Sequence, residues 1–349
     1  TINGRKYAFD EDGVMIYKWN QVASDANDIA SSYAWYGTAE DGARVNKGWF
    51  KVVPKANAFD LDNDENHDDE PQWYYSNTDG SLVAGQIKKI KGKYYAFKDT
   101  GAMISGLAVL DVNADGTIAD YMTGDDVDAD FLDDVKDGLA TVNGNLYYFG
   151  DSDNADTDGA MKTGNVTVNL DGESFQFKFR NNGGAESRGR GVTGVEKGDY
   201  IYKFGKKIKA DSEDKYILVY ASGDINSTGT VTVHDYDGSD VRELSGLLKG
   251  QSNADDKGMT NVLYNFGTAD QGWYLVNTSG KIQTGTKTGV KDGDDWYWYM
   301  YKDNIMMYTD SKDLGDGKID GKNVGKNLKS NWNKTSMTSA KIADFLDVK

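Results

Sequence analysis

In the segment DGDDWYWYMYKDN, Trp296, Trp298 and Met300 fall on one face of an extended strand, and Tyr297, Tyr299 and Tyr301 fall on the other. With one face buried, the other presents two flat rings about 7 Å apart, the strand rise over two residues, which suits successive sugar units. Sugars offer apolar C–H faces with hydroxyls around the edge, so an indole platform with polar groups at its rim is the matching chemistry. Trp35, Trp73 and Trp273 form a second candidate set, each seven residues before a turn glycine. Acidic loops suggest a different chemistry. DVNADGTIAD places Asp111, Asn113 and Asp115 at positions 1, 3 and 5 with Gly116 at position 6, the spacing of a calcium loop, but position 12 is Met122, so Asp120 or a remote carboxylate would have to close the site. Asn154, Asp156 and Asp158 before Gly159 repeat the idea, and Asp60, Asp62 and Asp64 do so without the glycine. Nucleophilic catalysis finds no support: His67 and His234 are far apart and there is no cysteine. With 56 acidic residues some carboxylate pair arises in any fold, so none can be singled out for glycoside hydrolysis.

The elements that must position these residues repeat. Tyr7/Gly13, Tyr36/Gly42, Tyr74/Gly80, Tyr95/Gly101 and Tyr274/Gly280 share one spacing, with an apolar or long side chain two residues after each glycine. Each unit reads as an aromatic strand, a polar turn whose glycine takes positive φ, and a second short apolar strand. A single hairpin is marginal in water, so the units must stack, burying Tyr95 and Phe97 against their neighbours. The expected fold is mainly β, an elongated array of β-hairpin repeats with inserted helices and loops.

The segment WYYSNTDGSLVAGQIKKIKGKYYAFKDTGAMISGL, Trp73 to Leu107, resembles two consecutive cell-wall-binding repeats of the choline-binding and glucan-binding type. Looser units at 1–19, 33–52, 144–164 and 271–286 extend the resemblance. Gly80 and Gly101 keep the family's period of nearly 20 residues, whereas other turn glycines are 29, 38 or 58 apart. Trp19 and Trp49 match the family's Gly-Trp position, with Lys18 in place of the first glycine, while Gln86, Leu107, Asn165 and Thr286 lack the tryptophan there. A choline cage needs that tryptophan together with those of the next unit, so choline is disfavoured by these losses.

Between the repeats, residues 125–138 place Val127, Phe131, Leu132 and Val135 on one helical face with Gly138 as a stop. A second helix is expected at 240–249, where Asp240 and Glu243 form a capping box. Segment 165–180 reads as a hairpin turning at Asp171–Gly172, with Phe175, Phe177 and Phe179 alternating, and strands follow at 200–204, 215–220 and 229–234. NNGGAESRGRG, 181–191, lacks the lysine and spacing of a phosphate loop and reads as a flexible exposed loop. Three regions result: 1–110 of hairpin repeats, 111–270 interrupted by inserted elements, and 271–349 with a last repeat and a tail; one continuous carbohydrate-binding module is the alternative division.

A net charge of -17 disfavours nucleic acid and anionic wall polymers as partners and favours a neutral polysaccharide. No stretch approaches the roughly 20 apolar residues of a membrane span. Thr1 opens inside a repeat and no signal peptide is read, so a piece of a larger surface protein is expected. The favoured expectation is a non-catalytic carbohydrate-binding module, secreted or on a bacterial surface, holding starch or a related α-glucan. The starch preference rests on resemblance to the Asp-rich, Cys-free proteins by which gut bacteria hold starch. Two alternatives stay open, a choline or teichoic-acid wall anchor and a glycoside hydrolase. No cofactor is required, and calcium is the metal the acidic loops would take.

Overall fold

The computed structural model describes residues 1–23, 29–54, 70–150, 159–234 without 185, 198, 213 and 228, 261–265, 270–285, 287–292, 296–301, 304–309, 318–319 and 322–323. For Ile29, Ser31, His234, residues 261–265 and everything after 285, it describes backbone alone. The helix expected at 240–249, His67 and the acidic runs at 60–64 and 154–158 lie outside the described residues. The protein is mainly β, built of small antiparallel hairpins. Among the described residues no helix is long and apolar enough to cross a membrane. The chain groups into two compact units: Thr1–Leu132 with Thr141–Ser174 and Lys178–Gly191, and Asp133–Ala140 with Phe175–Phe177 and Val192–Lys349.

Among the described residues one turn recurs five times. At Asp10, Asn77, Lys98, Asn113 and Asn277 the backbone N–H donates to the carbonyl four residues on, and the N–H of the glycine three residues on donates back. Those glycines, Gly13, Gly80, Gly101, Gly116 and Gly280, have φ between 78° and 90°, a region L-residues rarely enter. Each turn pairs the residue four before its glycine with the residue two after it: Phe9 with Met15, Ser76 with Leu82, Phe97 with Met103, Val112 with Ile118 and Val276 with Ile282. Gly116 therefore belongs to the repeat turn, although no tyrosine precedes it by six; Leu110 stands there, fully buried.

The main pairing of most aromatic strands runs upstream, a correction to the expected unit. Gln72–Ser76 pairs along its length with Gly48–Val52, and Lys93–Phe97 with Gln86–Ile90, across a tight turn at Lys91 and Gly92. The segment after the turn glycine adds one bridge to each. Tyr36 and Gly42 also depart, since the Gly42 N–H reaches back to Thr38 O over a longer turn.

Stacking follows a single rule. In the first unit, a β-carbon placed on Gly42 would strike Met15; on Gly80, Arg44; on Gly101, Leu82; on Gly159, Met103; and on Gly189, Met161. Each of those side chains lies two residues after an earlier glycine of the series Gly13, Gly42, Gly80, Gly101, Gly159 and Gly189, so each rung of that series lays one long side chain across the bare backbone of the next. The second unit repeats it, with Lys207, two after Gly205, against Gly280. The turn glycine thus answers two demands at once, a left-handed φ and close approach of a neighbour.

Inserted elements form as their sequences dictate. The helix Ala129–Asp137 follows a 3₁₀ turn, Gly124–Asp126. Asp128 Oδ1 accepts the Phe131 N–H (2.7 Å), an N-cap that satisfies a donor the helix itself leaves free. Val127, Leu132 and Val135 are buried, and Gly138 ends the helix at φ 81°. The strands Gly164–Leu170 and Glu173–Phe179 flank Asp171 and Gly172, both at positive φ, and bury Phe175, Phe177 and Phe179. The loop 181–191 is not a free loop. Arg180 and Gly189 exchange backbone hydrogen bonds with Arg190 and Arg180, Gly189 is buried under Met161, and Gly191 bridges to Phe179, which makes it an expanded repeat turn.

In the second unit, Tyr216–Ser222 is paired on both sides, by Thr230–His234 and Gln271–Asn277, and Ile217, Val219, Ala221, Val231, Tyr274 and Val276 share one apolar core. Trp296–Tyr301 is an inner strand of its sheet, flanked by Lys287–Asp292 and Asn304–Thr309.

Candidate functional site

The hairpin Gly48–Val52 with Gln72–Ser76 carries aromatic rings on both faces, because alternate residues of a strand point opposite ways. Phe50 and Tyr74 are cross-strand partners on one face and stack with centroids 5.6 Å apart. Trp35 stacks on Phe50 (6.1 Å, 14°), and Trp19 meets Trp35 (5.4 Å), Phe50 (5.9 Å) and Tyr74 (5.1 Å) edge-on. The other face carries Trp49, Lys51, Trp73 and Tyr75. Trp49 is its centre, edge-on to Trp73 (6.3 Å, 88°), Tyr75 (5.1 Å) and Tyr95 (4.8 Å) and stacked near Phe97 (5.7 Å). Both faces are therefore packing faces between successive hairpins.

What distinguishes the tryptophans from the tyrosines is exposure. Tyr74, Tyr95 and Tyr274 are at most 3% exposed, and burial pushes the Tyr74 hydroxyl far above its usual value and that of Tyr274 up to about 12. All three are core residues, and Tyr74 and Tyr274 stay protonated near neutral pH. Trp19, Trp35, Trp49, Trp73 and Trp273 are each half-buried, contributing one side of the indole to the core. Trp49 and Trp73 stand almost at right angles, giving a corner with two apolar walls; Lys51 Nζ lies 5.9 Å from the Trp73 ring. The Trp19 N–H is engaged by Val53 O (2.9 Å), whereas the buried Trp73 N–H has no acceptor within the protein.

Of the sequence-nominated residues, Trp35 and Trp73 lie on opposite faces of one hairpin. Trp273 sits in the second unit opposite Tyr220, 5.2 Å away. The side chains of Trp296 and Trp298 lie outside the described residues. Trp19 and Trp49, treated in sequence as remnants of choline positions, are the centres of the two clusters. One backbone signal marks them: Lys18 (φ 65°) and Lys47 (φ 50°) hold the left-handed conformation that Gly85, Gly106, Gly164 and Gly285 hold five residues after other turn glycines. Gly48 has no such φ, so before Trp49 the residue in that backbone conformation is Lys47.

The acidic loop at 111–120 uses its side chains on its own hairpin. Asp115 Oδ1 accepts from the Thr117 N–H (2.9 Å) and hydroxyl (2.7 Å), and these bonds hold its carboxyl below the usual range. Asp79 and Ser81 make the same pair in the turn before Gly80, so the arrangement is a feature of the turn. The Asn113 amide donates to Thr117 Oγ1 (2.9 Å), and Asp111 faces Asp120 across the strands. Among the described residues no three Asp, Glu, His or Cys side chains gather where they could hold a metal ion.

No family model matches the chain. It is similar to glucosyltransferase-S of Streptococcus downei, 30% identical over 149 residues, which are 43% of the chain and 9% of that enzyme. Similarity to glucosyltransferase-I of the same organism is 24% over a 422-residue alignment, taking in 95% of the chain and 25% of the enzyme. The chain thus spans a quarter or less of the length of these relatives. Among solved structures, it is similar to the choline binding domain of Spr1274 from Streptococcus pneumoniae (25% identity, 30% of the chain and 89% of that domain, TM-score 0.18). It is also similar to choline binding protein F from the same species (16% identity, 86% and 83% covered, TM-score 0.21). Superpositions this loose support no inference about fold or ligand.

Proposed function

We propose that this chain is a non-catalytic module of a bacterial surface or secreted protein that holds a neutral α-glucan against half-buried indoles. The carrying observation is the corner of Trp49 and Trp73, two apolar walls at 88° with Lys51 and Gln72 at the same hairpin. Such a corner takes the C–H face of a sugar on one wall and its edge on the other. Relatives named as glucosyltransferases, of which the chain matches a minor part, fit a segment that retains glucose polymer rather than one that transfers it. Starch is the polymer proposed here.

Affinity electrophoresis tests this. The protein should be retarded in gels containing soluble starch, release no reducing sugar, and lose retardation on Trp49→Ala or Trp73→Phe. Equal mobility with and without starch would sink the proposal. Retardation by dextran but not starch would move it to another glucan linkage. Retention on a choline column with elution by free choline would favour the wall-anchoring alternative, against which Lys51 already stands over the Trp73 ring.

A further inference from the structure

We propose a second binding site, for an anionic polysaccharide, where the hairpin Gln86–Phe97 meets the loop 181–191 in the first unit. From Gly80 to Lys98 the chain carries five lysines and no Asp or Glu, within a protein of net charge -17. Two cations converge there on one ring: Lys89 Nζ and the Arg188 guanidinium each lie 5.5 Å from the Tyr94 centroid. Their charges are thus at most about 11 Å apart, comparable with the screening length of about 8 Å in physiological salt.

The partners that hold these cations are neutral. Arg188 Nη1 donates to Asn181 O (2.6 Å), Arg190 Nη2 to Asn145 Oδ1 (2.6 Å) and Lys88 Nζ to Asn77 Oδ1 (3.3 Å). Among the described residues none of these four cations has a carboxylate ion pair. Glu186, the one acid of the loop, makes no ion pair with Arg188 or Arg190 among the described residues. Fixed guanidinium and ammonium groups without a carboxylate are prepared for an external anion. Acidic groups repel such a ligand only within about a screening length, so those farther away are screened and the local patch governs binding in physiological salt. The sugar class follows from the setting, an aromatic-lined hairpin ladder, and the anion is a phosphate or a carboxylate.

The test is binding of poly(glycerol phosphate) and of polygalacturonate to the whole chain over a salt series, with dextran and oligothymidylate alongside. We expect at least one anionic polysaccharide to bind, with log affinity falling linearly in log salt. Lys89→Gln with Arg188→Gln should lower that slope by about two. Arg188→Lys should keep most of the binding, and starch retardation should be unchanged in every variant, which separates this site from the indole corner. Binding by one polymer alone identifies the anion. No binding by either, or binding unaltered in the double variant when its melting is also unaltered, overturns the site. If the double variant melts early, Lys89→Gln alone decides in the same way. Equal or tighter binding of oligothymidylate overturns the assignment to a glycan.

Discussion

Gly92 and Gly101 have nearly identical backbones, φ 88° and 87°, but a β-carbon on Gly92 would meet nothing within 4 Å, while one on Gly101 would lie 3.1 Å from Leu82 Cδ1 and 3.4 Å from its Cβ. Replacing each by alanine therefore separates the two demands made on a turn glycine. Gly92→Ala should cost the left-handed penalty alone, about 1–2 kcal/mol. Gly101→Ala should cost that amount plus a crowding term of about 1 kcal/mol, the low end for overpacking, since Leu82 must give by a few tenths of an ångström while Tyr74 Cδ1 lies 3.6 Å from the added carbon. The difference is read from urea unfolding midpoints at constant slope. The crowding should vanish in a cycle with Leu82→Ala, where Gly101→Ala should cost no more than Gly92→Ala. Equal losses at the two glycines, or no coupling to Leu82, would refute the stacking rule.

Ser76 is fully buried, its hydroxyl has no partner within the protein, and it stands where other repeats carry Phe9, Phe97, Val112 or Val276. Ser76→Val should raise stability by about 1–2 kcal/mol, and a lower melting temperature would contradict this. In the second unit Lys206 is 7% exposed, and its ammonium lies 2.5 Å from Asp133. Burial pushes the Asp133 carboxyl up, but the hydrogen bond and charge of Lys206 with the charge of Lys136 outweigh it and leave the group below its usual 3.8. The Lys206 ammonium is itself shifted down by burial, so the pair is favourable for the acid and costly for the base. A lowered carboxylate gives stability that is full above pH 4 and is lost as pH falls through its folded value. Asp133→Asn, which strands the ammonium, should cost about 1–2 kcal/mol at pH 7 after allowance for the half-exposed carboxylate, and should flatten the acid limb of a pH–stability curve. Trp298→Ala should weaken glucan binding by about 1–3 kcal/mol with little change in melting; a large loss of stability with binding intact would make it a core residue.

Where side-chain chemistry decided the structure, the sequence was readable. The Asp128 to Gly138 helix, the Asp171–Gly172 turn and burial of Tyr95 and Phe97 follow from capping, left-handed turn residues and aromatic alternation. Strand partnership was harder to see, since Gln86–Ile90 has no aromatic residue and its Gln-Ile-Lys-Lys-Ile order lacks strand alternation, so nothing marks it, rather than the segment after Gly101, as the main partner of Lys93–Phe97. The place of Gly116 in the repeat turn was hidden because an Asp-rich hairpin turn and a calcium loop set oxygens at the same spacing, and the Thr117 hydrogen bonds to Asp115 show in the structure alone. The left-handed Lys18 and Lys47 were hidden because lysine does not advertise positive φ as glycine does. Trp35 and Trp73 were legible as a repeated aromatic slot and were nominated as sugar platforms, but the cluster centres at Trp19 and Trp49 emerge only from stacking between hairpins.

The stacking rule also explains how repeats so uneven in length can remain one array. A rung is defined by a side chain two residues past one glycine touching the next glycine, whatever chain lies between them; Gly80 and Gly101 are 21 residues apart, Gly101 and Gly159 58. Inserted loops and a helix can therefore lengthen a repeat without disturbing its neighbours, because loop length alone adds little free energy. What such a protein inherits is a contact rather than a period. A search for related chains should then align glycines and their following side chains while leaving the intervals free.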